Sequence, residues 1–557
     1  MEQEQSMVAI TIGPAQAFIS SARKMEDLWS GSYILSYLSE LGLQHIFDMC
    51  IAESLTIRSI YPNYLDAQSL EARPNKEVPS MPNRLMFLLN DNPQQAARIA
   101  ERIAKTIENE LVKMYSQSFT DIFGDVKDSQ TYMYEFGEQQ VANALEIYWA
   151  VEPTTCDDKQ FERSKKKLEQ KLIAMKHQRK FRNENQQGIV CTVCGEREAL
   201  HQEQILNSHR LFEMKKQLQQ TWKKRNKDKG YDKRIQDREY LCGVCSTRRA
   251  FRAVLSNRGR SVKHFDSVLT FAEENNYYGL VLMDGDNMGQ WFKGEHRNDG
   301  QSLLTYNQQL SRKLVDFSTQ ALDTVTSEDH KGRLIYAGGD DVFAIAPLHT
   351  ILPMAHQLQK DFYNVLEQLK SDQEPTSSAG IMIVHGKTPL NIVLNHTRRL
   401  EKKAKAHGPD KNAFALSIYT GSGEIREVSL RWEAMESVQQ LVNSLKKDTS
   451  ANFIYTFTET ILPLLGSHLN NLTDKEEQAQ KDELKEIIQI ELSRMMHRSG
   501  KNYVEDDMTT ELLIQSVMAC YHCAPTVFQF IHLLQIARFM KVNMTRVKQQ
   551  SDANAQS

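Results

Sequence analysis

Leu334-Ile-Tyr-Ala-Gly338-Gly339-Asp340-Asp341-Val-Phe-Ala-Ile345 consists of two short β-forming runs joined at Gly-Gly-Asp-Asp. Alternating β-formers on both sides of a glycine turn predict a β-hairpin. Two adjacent carboxylates at its tip repel unless a positive charge sits between them. Hard carboxylate oxygens suit magnesium or manganese. The hairpin therefore points to metal-dependent phosphoryl or nucleotidyl transfer.

The flanking pattern extends this reading. Before the hairpin, residues 277–283 predict a strand, Asp284-Gly285-Asp286-Asn287-Met288-Gly289 a loop and residues 301–325 a helix. After it come a helix near 352–369, a strand over 378–384, a helix over 390–406 and a strand over 413–419. The order β-α-β-β-α-β is that of a ferredoxin-like palm. Asp284 ends the strand expected beside the hairpin, so Asp284, Asp340 and Asp341 can share two cations that stabilise attacking and leaving oxygens. The amides of Gly285, Asn287, Met288 and Gly289 suit phosphate oxygens. Lys405 either reaches the terminal phosphates as a point charge or is a solvated helix lysine beside Lys402 and Lys403.

An earlier α/β unit has the same plan. Residues 7–12 predict a buried strand closed by Gly13-Pro14, 15–46 a helix, 84–89 a strand, 94–114 a helix and 142–151 a strand. Laid over the second unit, Ile12 falls on Asp284, and Asn83-Arg84 fall on Asp340-Asp341. The first unit is then a palm without metal ligands. No strand pattern is read beyond Glu424, so 425–557 is expected to be helical, with a polar tail after Lys548.

Cys191-Thr-Val-Cys194 and Cys242-Gly-Val-Cys245 supply four thiolates for a closed tetrahedral zinc site. Residues 195–241 between the pairs exceed the usual ribbon spacing, which implies a helical insertion. Basic runs in 159–184 and 215–234, including Lys165-Lys166-Lys167 and Lys223-Lys224-Arg225, are read as exposed helices. They are either solvated faces or RNA-contacting surfaces. Cys520 and Cys523 read as one face of an apolar helix, and Cys50 and Cys156 as core residues.

The chain has 557 residues, 40% hydrophobic and 25% charged, with a formal net charge of −3. That composition fits a folded multidomain protein and does not itself demand nucleic acid. Met1-Glu-Gln-Glu-Gln-Ser6 lacks the features of a signal peptide, and no apolar run has the length of a membrane span. A cytoplasmic protein without a membrane partner is expected.

These residues resemble the large polymerase/cyclase subunit of type III CRISPR effector complexes, the III-B form in particular. The likeness includes Ile12-Gly-Pro-Ala-Gln-Ala-Phe18, Ala22-Arg-Lys-Met-Glu-Asp-Leu-Trp-Ser-Gly-Ser-Tyr33, Pro82-Asn-Arg84 and both cysteine pairs. It also includes Asp284 to Gly289, Gly338 to Asp341, and Ser378-Ala-Gly-Ile-Met-Ile383. The resemblance implies an α+β multidomain fold. Its parts would be a first palm-like domain (1–155), a helical zinc-binding domain (156–270), a second, cyclase-type palm (271–424) and a C-terminal helical domain (425–557) contacting small subunits. It implies guide and target RNA as partners, within a multisubunit ribonucleoprotein, and cyclic oligoadenylate made from ATP once target RNA is paired. By position, Asp284, Asp340 and Asp341 would hold magnesium or manganese. Gly285, Asp286, Asn287, Met288, Gly289, Gly338, Gly339, Ser378 and Lys405 would line the ATP site. The chain contains no His-Asp dipeptide, so the DNase activity of many relatives is not expected. Some relatives without the nuclease join AMP to S-adenosylmethionine, which remains an alternative acceptor.

Overall fold

The computed structural model describes residues 5–73, 76, 78–155, 157–178, 186–207, 210–228, 230–260, 268–272, 276–369, 372–445, 450–465, 474–499 and 507–555. Strand β1 (Gln5–Gly13) is the centre of a first sheet with β2 (Ile57–Tyr61), β3 (Arg84–Leu89) and β4 (Glu146–Thr154), in the order β2-β3-β1-β4. Every pairing in it is antiparallel. Val8, Ile10 and Ile12 share a core with the helices Met25–Ala52 and Pro93–Phe123. Met7 and Ala9 face the other way, onto Phe161, Leu168 and Leu172 of the helix Asp158–His177. Both faces are covered, which is why β1 reads as a continuous apolar run rather than an alternating one.

The second sheet contains β5 (Tyr277–Gly285), β6 (Arg333–Gly338), β7 (Asp341–Pro347), β8 (Ser377–His385), β9 (Ala413–Tyr419) and β10 (Ile425–Arg431), in the order β10-β9-β8-β5-β7-β6. Only β8 and β9 pair in parallel. The run β6-β7-β5-β8 repeats the order and sense of β2-β3-β1-β4. The chain thus contains two palms of mixed α/β structure.

Several sequence expectations need correction. Strands β2 and β10 have no counterpart in the expected pattern. Residues 425–431 carry Arg426, Glu427 and Arg431, and only Val428, Ser429 and Leu430 are fully buried. An edge strand needs no continuous apolar run, so its pattern is weak. A boundary at 424 would therefore cut the β9–β10 hairpin. The single helix expected over 15–46 is two helices, Ala15–Ser20 and Met25–Ala52. The Asp27 carboxylate accepts from the Lys24 amide at the start of the second. The overlay of the palms is also one residue out. Ile12 donates to Asn83 O, whereas the second palm pairs Met283 with Val342, so Asp284 comes next to Asp341. With Ile12 on Asp284, Asn83 rather than Arg84 replaces Asp341. The polar tail expected after Lys548 continues the helix Val527–Ala555.

The cysteine-bearing segment packs against the first palm. Cys191, Cys242 and Cys245 belong to the core of the first palm. The helix Gly243–Asn257 is locked to the helix Met25–Ala52 by Arg249, whose Nε and Nη2 donate to Asp27 at 2.7 and 2.9 Å. Arg249 Nη1 also reaches Glu239 at 3.1 Å. Just beyond that helix, Arg260 joins Arg73 on Glu40.

Burial alone would raise the Glu40 pKa, but the hydrogen bonds from Arg73 and Arg260 outweigh it and hold it down to about 2. A lowered carboxylate stabilises the fold above its unfolded pKa and loses that contribution as pH falls through the folded one. Between pH 6 and pH 3 the wild type should lose about 2 kcal/mol that Glu40→Gln does not lose. Denaturant midpoints at the two pH values test this, and parallel losses in the two proteins would contradict it.

Candidate active site

Asp284 stands near the end of β5, in the middle of the second sheet, and Asp340 and Asp341 at the β6–β7 turn. Gly338 pairs with Asp341, leaving Gly339 and Asp340 as the two turn residues. Gly339 has φ +73°, as the first residue of a tight hairpin turn of the II′ kind requires. One carboxylate oxygen from each aspartate lies within 4.8 Å of the others. Burial raises the Asp340 pKa to about 6, although the Gly285 amide pulls the other way. Burial, then the charges of Asp340 and Glu401, hold Asp341 well above the usual carboxylate range. Carboxylates so placed fit a hard divalent cation, which would favour their ionised forms.

A cation from the chain also reaches this cluster. The helix Leu390–Lys405 lies against β8, and a Cβ on Gly380 would come within 2.5 Å of Thr397 O and 2.6 Å of Glu401 N. Only glycine permits that approach. At the helix end the Lys405 ammonium contacts Asp284, with Glu401 on its other side at 3.0 Å. Burial, and then Lys411, push Lys405 down to about 8. Lys411 donates to Asn287 Oδ1 at 2.7 Å, so two ammonium groups flank the loop after β5.

The structure divides the loop residues. Asn287 and Gly289 are exposed, whereas the Met288 side chain is packed into the core. Asp286 and Ser378, both expected at the ATP site, are buried in this structure. Asp286 is 2% exposed and Ser378 is fully buried. Ser378 Oγ lies 2.9 and 3.1 Å from the two Asp286 oxygens, and the Asn412 amide donates to Asp286 Oδ2 at 3.1 Å. Their role here is to tie the end of β5 to β8 and to the loop before β9.

A cleft of about 840 Å³ opens beside the aspartates, between the two palms. Gly338, Asp340, Asp341 and Gly289 form one side. Tyr61 and Arg84 of the first palm, with Lys165 and Lys166, form another. Sequence reasoning missed these four. Lys165 is 8% exposed and donates to Asn307 Oδ1 at 2.9 Å and to Phe292 O. Burial pushes its pKa down to about 8. A signal exists in the sequence: Phe161, Lys165, Leu168 and Leu172 fall at helical spacing, which places this lysine of the basic run on the buried stripe. Of the basic runs, Lys165 and Arg225 are therefore buried rather than exposed.

The second cluster has four cysteines with all sulfurs within 4.8 Å of one another. The Gly195 amide donates to Cys191 O at 3.0 Å, turning the first pair back on itself. Cys242 caps the helix Gly243–Asn257, its sulfur accepting from the Cys245 amide at 3.4 Å. Thr192 N to Tyr240 O and Leu200 N to Leu241 O join the two halves. Four sulfurs and no further ligand fit a structural zinc. Cys50 and Cys520 are buried and Cys523 is exposed, while Cys156 lies outside the described residues. No helix among the described residues is long and apolar enough to cross a membrane.

Residues 277–415 match the family model "Cas10/Cmr2, second palm domain", and residues 7–116 match "CRISPR-associated protein Cmr2, N-terminal". The CRISPR system Cmr subunit Cmr2 of Pyrococcus furiosus is 24% identical over 558 aligned positions, covering 77% of this chain and 63% of that protein. The chain thus spans less than two thirds of this curated relative. Its fold is similar to that of a chain in type III-B Cmr-beta in the apo state, with a TM-score of 0.59 at 14% identity, covering 89% of this chain and 77% of that one. For Cmr-beta bound to cognate target RNA the TM-score is 0.55 at 14% identity, covering 83% and 77%.

The four-sulfur geometry predicts about one zinc per purified chain, lost in a Cys191→Ser/Cys242→Ser variant. Elemental analysis after desalting measures it. Metal-free protein with four freely titrating thiols would contradict the assignment.

Proposed function

We propose that this chain, which carries the Cmr2 N-terminal and Cas10/Cmr2 palm domains and is homologous to the Cmr2 subunit of type III-B systems, is the nucleotidyltransferase of a type III CRISPR ribonucleoprotein. Pairing of target RNA with the guide switches on synthesis of cyclic oligoadenylate from ATP. The observation that carries the reading is the convergence of Asp284, Asp340 and Asp341, the last two at the wall of a cleft between the two palms. In the proposal, 1–155 is a palm without metal ligands, 156–270 holds zinc, 271–424 is the cyclase-type palm, to which β10 adds an edge strand, and the helices of 425–557 face small subunits.

Asp284, Asp340 and Asp341 would hold two magnesium or manganese ions. Bound there, such ions lower the pKa of the attacking ribose hydroxyl and neutralise charge on the phosphates. The chain's own groups do the positioning. The exposed residues Asn287 and Gly289 would meet the triphosphate, with the ammonium groups of Lys405 and Lys411, which reach Asp284 and Asn287, beside it. The 3′-oxygen of one adenosine forms a bond to the α-phosphorus of the next ATP, and the bond to the β,γ-pyrophosphate breaks. The hydroxyl proton goes to solvent. Asp286 would hold the loop of the ATP site from its buried position, and target sequence would be read by base pairing rather than by this chain.

The test uses the assembled complex with guide RNA, magnesium, ATP and matching target RNA, with products resolved by mass spectrometry. Cyclic oligoadenylates should form, with at least a hundredfold loss in Asp340→Ala/Asp341→Ala, about the scale of removing a dominant electrostatic contributor. An adduct formed only with S-adenosylmethionine would replace the cyclisation reading. An assembled complex with no product would refute the enzymatic one.

A further inference from the structure

Both glycines of the turn face a tyrosine hydroxyl. A Cβ on Gly338 would collide with Tyr336 OH, which comes from the same strand, two residues back. A Cβ on Gly339 would lie 2.6 Å from Tyr61 OH and 3.8 Å from Tyr61 Cζ. Tyr61 belongs to the other palm, at the end of β2. Its hydroxyl therefore occupies the space above the turn that a side chain at Gly339 would fill.

Contacts with the second palm hold the segment that carries this ring. Asn63 N donates to Ser311 Oγ at 2.8 Å and Asn63 Nδ2 to Gln308 O at 3.0 Å. Gln308 Nε2 returns a bond to Ser59 O at 2.9 Å. The Ala337 amide on β6 donates to Pro79 O at 3.0 Å. The Tyr61 ring meets Phe292 edge-on, with centroids 5.2 Å apart. These contacts fasten the segment around β2 to the helix Leu303–Thr326 on one side and to the hairpin on the other.

We propose that Tyr61, supplied by the first palm, is a positioning residue for the Gly338–Asp341 turn and sets where Asp340 and Asp341 stand relative to Asp284. The inference rests on the metal-binding reading of those aspartates. The palm without metal ligands thereby acquires a definite role, because the hairpin of the second palm is completed by a side chain from the first. A packed interface of this kind transmits a shift of one palm directly into ligand spacing in the other.

The experiment titrates Mn²⁺ into the full-length chain and reads free ion by electron paramagnetic resonance. The proteins are wild type, Asp340→Ala/Asp341→Ala, Gly339→Ala, Tyr61→Phe, Tyr61→Ala and Gly339→Ala/Tyr61→Phe. Zinc content and circular dichroism report the fold independently. Gly339→Ala should weaken Mn²⁺ binding about tenfold, and adding Tyr61→Phe should recover about fivefold of it, within the coupling expected of residues in contact. Removing the hydroxyl leaves Cζ at ordinary contact distance, so only the positive φ still opposes alanine. Tyr61→Ala, with the glycine untouched, should weaken binding about fivefold. Equal weakening of Gly339→Ala with and without Tyr61→Phe would overturn the inference, as would wild-type binding in Tyr61→Ala. Wild type binding no more Mn²⁺ than the double-aspartate variant would overturn the metal reading and the inference with it.

Discussion

Three carboxylates with oxygens within 4.8 Å of one another repel, by about 3 kcal/mol per ionised pair at an effective dielectric near 20. The second palm is organised around holding them there. Asp284 is fixed by a central strand hydrogen-bonded on both sides. Asp340 is held in a two-residue turn and Asp341 at the start of the paired strand β7. Lys405 supplies positive charge from a helix that can come close because Gly380 has no side chain. The buried Asp286–Ser378–Asn412 network holds the backbone of the loop just beyond. Each element makes sense as a means of keeping mutually repelling groups in one arrangement, as the proposed metal site requires.

The rest of the chain supports that arrangement from outside. The first palm repeats the topology without the aspartates and contributes the opposite wall of the cleft. The helix Asp158–His177 fills the seam, burying apolar residues on the first sheet and placing Lys165 at the cleft. The four cysteines anchor the helix Gly243–Asn257, whose Arg248 and Arg249 follow the second pair closely. Arg248 bonds Ser21 O at 2.7 Å and Arg249 bonds Asp27, so the cysteine-bearing segment is tied to the break before the long first-palm helix. Loss of the cluster would therefore be felt in the first palm.

Much of this was legible in the residues. The hairpin was readable because Gly-Gly interrupts two β-forming runs, and β5, β8 and β9 because buried strands leave long apolar runs. The three metal-type aspartates could be grouped because strand order in a palm is fixed by its chain order. What escaped depended on contacts between distant segments. Strand β10 is an edge whose charged residues hide it, and β2 is short. The bond between Ser378 and Asp286 follows from the pairing of β5 with β8, which joins segments far apart in the chain. Tyr61 and Arg84 could not be placed at the cleft because the aspartates they face are more than two hundred residues away. The one-residue error in overlaying the palms arose because the first palm has no Gly-Gly turn before β3 to fix the alignment.

The most direct test is an anomalous difference map from the full-length chain with Mn²⁺ and a non-hydrolysable ATP analogue. Two manganese peaks are predicted between Asp284, Asp340 and Asp341. The triphosphate is predicted over the Asn287 loop, with Lys405 moved from Asp284 to a phosphate oxygen. Manganese elsewhere, or a nucleotide bound with Lys405 still on Asp284 and no metal at the aspartates, would contradict the assignment of this cluster as the catalytic metal site.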